Sequence, residues 1–430
     1  MSKVSILVDR LRGSALFKDS FWAVTGSVIG RGLALIAGIF IARFLGSEAY
    51  GEYGTIKNSL ILIAMISSMG LGYSSTKFIA ECKDTKEQYK IPAIHKISTY
   101  ITVIASSIIA ILIYIYAKEI ALWLEAERLY IAIRLSTLAV VFNALNTTQI
   151  GELSGLGAYK ELARNNAISG IITFILSILL TYYYQLNGAI YALSISLIFN
   201  SLINHISIKK HINNYNSRAL TDKSSFVRSI IKFSIPIALQ ESLFAITSWG
   251  STIILVKFSS YSELGISSAA SIWMNIMLFI PGALRNVSLS HLSSSNDDNT
   301  KNKVILKRLF IINLISTLIP CLIVGILTKY IVAIYGDTYQ GLEIVLPVSL
   351  MCAIVCSMAN VLSQEFIAKG ENWILFLFGA IRCSIGIVVL YVLTQYSSQG
   401  ALMSSLTLLG THIIYLIALG LHIRYKHNNK

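Results

Sequence analysis

The chain has 430 residues, of which 55% are hydrophobic and only 13% charged, and its mean hydropathy is +0.67. Soluble domains carry about 25% charged residues, so the composition excludes a soluble globular protein and reads as a polytopic membrane protein. The formal charge of +14 does not indicate nucleic-acid binding, because the basic residues fall in short loops between apolar stretches, where they set topology.

Residues 1–19 carry Lys3, Asp9, Arg10, Arg12, Lys18 and Asp19. They leave no apolar core for a cleavable signal peptide. Ile6, Leu7, Leu11 and Leu16 make at best a short interfacial helix, and a mobile cytoplasmic leader is the equal alternative. The stretch from Phe21 to Ala42 then reaches the length of about 20 apolar residues that a span requires, with one ionisable residue, Arg31, near its middle. Ser27, Arg31, Ala34 and Gly38 share one helical face, so small residues leave room beside the guanidinium. Gly26 and Gly30 form a GxxxG pair, which predicts close approach of another backbone.

Twelve spans are predicted, at 20–43, 52–79, 95–117, 129–150, 166–184, 188–208, 231–256, 264–290, 305–327, 341–364, 373–394 and 400–423. The even count places both termini on one side. Most of the 35 lysines and arginines lie in the leader, the tail and the loops that follow even-numbered spans. The opposite loops hold only Arg43, Lys118, Arg128, Lys257 and Lys329. The positive-inside rule therefore puts both termini in the cytoplasm. The corresponding organisation is a leader (1–19), a six-helix bundle (20–208), a cytoplasmic linker (209–230), a second six-helix bundle (231–424) and a tail (425–430).

Arg31, Lys57, Arg134, Arg285 and Arg382 remain inside spans, against one clearly intramembrane acid, Glu241. Lys57, Arg134 and Arg285 lie near span ends, within snorkelling reach. Arg31, Arg382 and Glu241 are central, where a charge costs about 2.5–3.5 kcal/mol on insertion scales and typically faces a cavity or a partner. A net cationic interior favours an anionic cargo. A weak internal repeat relates the halves: an offset of 214 pairs Ser20 with Ser234, Arg43 with Lys257 and Gly51 with Gly265, and Gly157 corresponds approximately to Gly370. Parallel repeats of this kind are related by an axis along the membrane normal. The offset sets Arg31 against Ala245, one turn after Glu241, and predicts that Glu241 faces the same cavity and pairs with a basic residue.

Pro236, Pro281, Pro320 and Pro347 fall inside spans, where they read as static kinks more readily than as hinges, and Pro92 falls in a loop. Walker A, HExxH and GxSxG motifs are missing, and Gly151–Gly157 lacks the flanking strand of a phosphate loop. Cys82, Cys321, Cys352, Cys356 and Cys383 are odd in number, and most lie in spans, so no disulfide framework is expected. Cys352 and Cys356 sit one turn apart, a spacing read as packing because no His or acid stands beside them. His412 is the only one of the histidines weighed that lies deep in a span, and it reads as packed rather than as a proton relay. Tyrosines at span ends fit interfacial belts.

The span-1 core leading into FLGSEAYGEYG, the SMGLGYSSTKFIAE exit from span 2 and the segment GELSGLGAYKELARNNAISG resemble the Wzx-type O-antigen flippases of the MOP superfamily, relatives of the MATE exporters. The resemblance extends over essentially the whole chain, in length, topology and two-half layout. It implies an all-α, MATE-like membrane fold of two pseudo-symmetric six-helix bundles around a cavity with alternating access. The implied cargo is an undecaprenyl-diphosphate-linked oligosaccharide, flipped from the cytoplasmic to the periplasmic leaflet of a bacterial inner membrane. Membrane lipids, a polysaccharide polymerase and chain-length proteins are the implied partners; no cofactor, metal, nucleic acid or bond-making chemistry is. Arg31 and Arg382 match the basic lumen of such flippases, with Lys57, Arg134 and Arg285 as further cavity candidates and Glu241 as a candidate for ion coupling. The alternatives are a MATE-like multidrug or cation antiporter, which favours cavity acids, and a membrane scaffold, which gains nothing from buried charge. A lipid II flippase of the same superfamily usually has extra spans that this chain lacks.

Overall fold

The computed structural model describes residues 15–83, 85, 87–215, 223–282, 299–369 and 371–428. Among them all regular structure is helical. The main helices are α1 (Ala15–Ser68), α2 (Leu71–Lys83), α3 (Ile91–Ile115), α4 (Ala117–Trp123), α5 (Tyr130–Gly155), α6 (Tyr159–Ile212), α7 (Lys223–Phe258), α8 (Tyr261–Met277), α9 (Asn299–Ile326), α10 (Thr328–Tyr335), α11 (Leu342–Ala368), α12 (Asn372–Tyr396) and α13 (Gly400–Asn428).

Eight stretches among the described residues are long and apolar enough to cross a membrane, where the sequence predicts twelve spans. Part of the difference is that α1 and α6, at 54 residues each, would run about 80 Å at 1.5 Å per residue, far beyond a hydrocarbon core of about 30 Å. Each is two helices meeting at one non-helical residue, Gly46 (φ 74°, ψ 173°) in α1 and Gln185 (φ 50°, ψ −132°) in α6. In addition, the predicted eighth span runs into residues 283–298, outside the described set. Pro92, expected in a loop, stands in the first turn of α3, where its missing N–H would have been unbonded anyway. Pro320 and Pro347 lie inside α9 and α11.

The burial pattern is that of a protein dissolved in lipid. α3 exposes Ile104, Ile108, Ile111 and Ile115 while burying Ser98, Thr102, Ser106 and Ala110, one turn apart. α9 likewise exposes Ile315, Ile319, Leu322 and Ile326 and buries Asn313, Thr317 and Cys321. Hydrocarbon gives apolar side chains no reason to turn inward, so small and hydroxylated residues take the helix contacts. Ser75 donates to Ser98 at 2.9 Å, and Thr102 and Thr148 meet at 3.0 Å. The chain is a multi-pass, all-α membrane protein.

Two compact units divide the chain: residues 1–37 with 56–245, and residues 38–55 with 246–430. In the first, the halves of α6 are laced by Asn165 Nδ2 donating to Asn204 Oδ1 and Ser207 Oγ, each at 3.0 Å, and by Ser169 Oγ donating to Asn200 Oδ1 at 3.0 Å. Gly30 of α1 meets α6 backbone to backbone: a Cβ on Gly30 would stand 2.6 Å from the Asn166 carbonyl oxygen, and one on Gly170 2.6 Å from the Gly30 Cα. The expected close approach at Gly30 is thus present. An apolar cluster of Ile79, Ile91, Ile94, Leu153, Leu156 and Ile208 closes one end of this unit.

In the second unit the bend at Gly46 is completed by its surroundings. The bend withdraws helical partners from the Ala42 carbonyl and the Ser47 amide. Tyr339 Oη donates to the first at 2.9 Å, and Thr338 Oγ1 accepts from the second at 3.3 Å. Beyond the bend, α1 crosses α8 in a reciprocal contact. A Cβ on Gly51 would lie 1.9 Å from the Tyr261 carbonyl oxygen, and a Cβ on Gly265 1.9 Å from that of Ser47. Ser47 to Tyr261 and Gly51 to Gly265 are each separated by the repeat offset of 214, so each repeat offers the other the same glycine and the same carbonyl. A second apolar cluster, of Leu362, Phe366, Leu375 and Leu419, joins α11, α12 and α13.

Candidate functional site

Arg382, predicted from its position in mid-span, stands half-buried on α12. Its Nη1 donates to His412 Nε2 of α13 at 2.6 Å, and its guanidinium carbon lies 5.2 Å from the centre of the Tyr415 ring. Arginine has only donors, so Nε2 is the acceptor and His412 is neutral. The proton on its other nitrogen goes to the Leu408 carbonyl, with Nδ1 at 2.8 Å from that oxygen. Tyr415 is placed in turn by Ser363 of α11, hydroxyl to hydroxyl at 3.4 Å. Arg382 Nη2 reaches the sulfur of Cys383 at 3.7 Å, and Nε is buried without a partner. A neutral imidazole and an aromatic face thus orient this cation, and among the described residues it has no carboxylate in ion-pair contact. A guanidinium held this way keeps its charge and a fork of donors for an anion.

The other predicted residues are distributed as follows. Arg134 of α5 is exposed and lies over the rings of Tyr114 and Tyr130, 5.0 and 5.6 Å from their centres. Lys57 is exposed on α1. Both belong to the first unit and Arg382 to the second. Arg285 and the side chains of Arg31 and Glu241 lie outside the described residues, as does Gly370. Cys352 is buried and Cys356 half-buried, and among the described residues no group of three or more His, Cys, Asp or Glu is placed to hold a metal.

His412, read from the sequence as packed, is buried, and its ring is also the hydrogen-bonded partner of Arg382. The available signal was the set of polar residues Thr411, His412 and Tyr415 in the middle of a largely apolar helix. His95 and Glu152, paired at 2.8 Å in the interior of the first unit, were not singled out at all.

The model of one protein family, described as polysaccharide biosynthesis protein, matches residues 40–344. The chain belongs to that family. Among curated proteins, this polysaccharide biosynthesis family member is similar to an uncharacterized membrane protein of Methanocaldococcus jannaschii, 24% identical over 296 residues, which are 66% of this chain and 69% of the relative. Among solved structures it is similar to the inward-facing conformation of a multidrug resistance MATE family transporter of the MOP superfamily. The TM-score is 0.80 over 95% of this chain and 98% of the other, at 13% identity. A MOP superfamily transporter from Pyrococcus furiosus, whose description ascribes to it a binding pocket of reverse polarity, gives a TM-score of 0.67 at 15% identity over 97% of each chain. The family member therefore has the MATE-like fold.

Proposed function

We propose that this family member moves an undecaprenyl-diphosphate-linked oligosaccharide from the cytoplasmic to the periplasmic leaflet by alternating access. The observation that carries the reading is Arg382, a half-buried guanidinium oriented by a neutral histidine and not by an acid. A diphosphate crossing a low-dielectric region needs such donors, and a polysaccharide biosynthesis family supplies the context. The reading includes twelve crossings in two six-helix halves and both termini in the cytoplasm of a bacterium. Arg31, Lys57, Arg134 and Arg285 extend the cationic path, and Glu241 pairs with a base along it. A polymerase and chain-length proteins receive the product.

A second reading, a multidrug or cation antiporter, has the more direct support of the structural comparisons, since solved transporters of this fold include multidrug ones. The two differ in the charge of the cargo. In a strain lacking the protein, surface polysaccharide and intracellular lipid-linked repeat units are measured, then complemented with wild type or Arg382→Ala. Lost surface glycan with accumulated repeat units, restored by wild type and not by the variant, supports flipping. Normal surface glycan with new sensitivity to cationic drugs refutes it and selects the antiporter.

A further inference from the structure

Two buried glutamates hold equivalent places in the repeats. Glu152 near the end of α5 and Glu365 near the end of α11 are 213 residues apart, the separation that also relates Gly157 to Gly370. Both side chains are 0% exposed. An ionised carboxylate so buried carries an effective penalty of several kcal/mol unless fully partnered, and neither has a full set of partners. Glu152 Oε2 meets His95 Nδ1 of α3 at 2.8 Å, while its Oε1 is buried without one. Glu365 is in contact with the Lys369 ammonium one turn on, yet neither of its oxygens takes a well-aligned hydrogen bond.

The charged groups around each are these. Around Glu152 they are His95 and Lys96 from α3 and, behind the His95 ring at 6.0 Å, His205 of α6 with Lys209 one turn on. From α2, Lys83 reaches the turn at Gly157, and the Cys82 thiol joins the surrounding cluster. Around Glu365, Lys369, Glu371, His422 and Lys426 line a pocket with room for about one water molecule. His422 Nε2 stands 3.5 Å from Glu371. Lys303 and Lys307 of α9, with Arg424, edge the adjoining groove.

We infer that His95 and Glu152 form a proton-binding site. One proton between imidazole and carboxylate leaves the pair neutral overall. Its departure to water leaves a bare buried anion, and a second proton leaves a cation. The step is proton exchange with water alone, and nothing is oxidised or reduced. A clip that merely fastened α3 to α5 would be served by neutral partners, without the penalty of a buried acid in both repeats. The site does not depend on what the cargo is.

The test is pH-difference infrared spectroscopy of the purified full-length protein. Wild type is expected to lose a protonated-carboxyl band as pH rises through the range from about 5 to 8. Glu152→Gln removes that band, while Glu263→Gln, at a partly exposed acid, leaves it intact. Should a glutamine variant fail to fold, the imidazole resonances of isotope-labelled wild type report directly, with His95 titrating in step with the band. A band that survives Glu152→Gln, or the absence of any carboxyl titrating in this range, overturns the inference.

Discussion

Replacing Gly51 by alanine tests the reciprocal helix contact. The new methyl would stand 1.9 Å from the Tyr261 carbonyl oxygen and 2.8 Å from its carbon. These are backbone atoms that cannot rotate aside. To reach an ordinary separation of about 3.4 Å, α1 and α8 must part locally by about 1.5 Å. Overpacking of this kind costs about 1–3 kcal/mol. The same displacement breaks the Ser47–Ser262 hydroxyl contact at 2.7 Å, for about 0.5–1.5 kcal/mol more. The expected loss is about 2–4 kcal/mol, with a similar loss for Gly265→Ala and less than the sum for the double variant, because one separation relieves both clashes. Gly32 is the control. Nothing stands within 4 Å of its would-be Cβ, so Gly32→Ala is expected to be neutral, or stabilising by up to about 1 kcal/mol through helix propensity. Thermal unfolding in detergent can be followed by a thiol-reactive dye, because Cys82, Cys321, Cys352 and Cys383 are buried until the fold opens. A Gly51→Ala protein as stable as wild type refutes the argument.

Three further outcomes are expected. Tyr339→Phe removes the donor to the Ala42 carbonyl at the Gly46 bend and is expected to lower stability by about 1–3 kcal/mol in the same dye assay. Asn165→Ala removes two buried hydrogen bonds between the halves of α6; at about 0.6 kcal/mol per interhelical bond in a membrane, the loss is about 1 kcal/mol. Arg382→Lys keeps the charge but gives up the planar fork that meets His412 and Tyr415, so complementation of surface polysaccharide is expected to fall between wild type and Arg382→Ala.

The residues that told of the fold were those whose chemistry is local. Apolar runs marked the spans, and Gly30 announced a close backbone approach that the structure contains. Gly51 and Gly265 were legible as a repeat pair, but their mutual contact was not, because an offset relates positions in sequence without saying that the two meet. Spacing hid other features for physical reasons. The break at Gln185 falls between the predicted spans 166–184 and 188–208, but that a single non-glycine residue with positive φ makes it is not announced by propensity. His95 lies 57 residues from Glu152, so neither reads as half of a pair. Arg382 was visible as a charge in mid-span, whereas the neutral state of His412 follows only from seeing both of its nitrogens occupied.

His412, Tyr415, Leu419 and His422 follow one another at helical spacing on α13, so one face of one rigid helix leads from the Arg382 site to the pocket of Glu365. Ten residues separate His412 from His422, about 15 Å at 1.5 Å per residue. Glu365→Gln changes the charge of that pocket by one at that distance. With an effective dielectric constant of about 20, the interaction is about 1 kcal/mol, a factor of about five in the affinity of an anion beside Arg382. The sign is fixed: a carboxylate lost makes the site more positive, so the anion binds more tightly. Binding of a short-chain polyprenyl diphosphate to purified Glu365→Gln protein is therefore expected to be about fivefold tighter than to wild type. A Glu365→Gln protein that binds no more tightly than wild type would show that the two ends of α13 act independently.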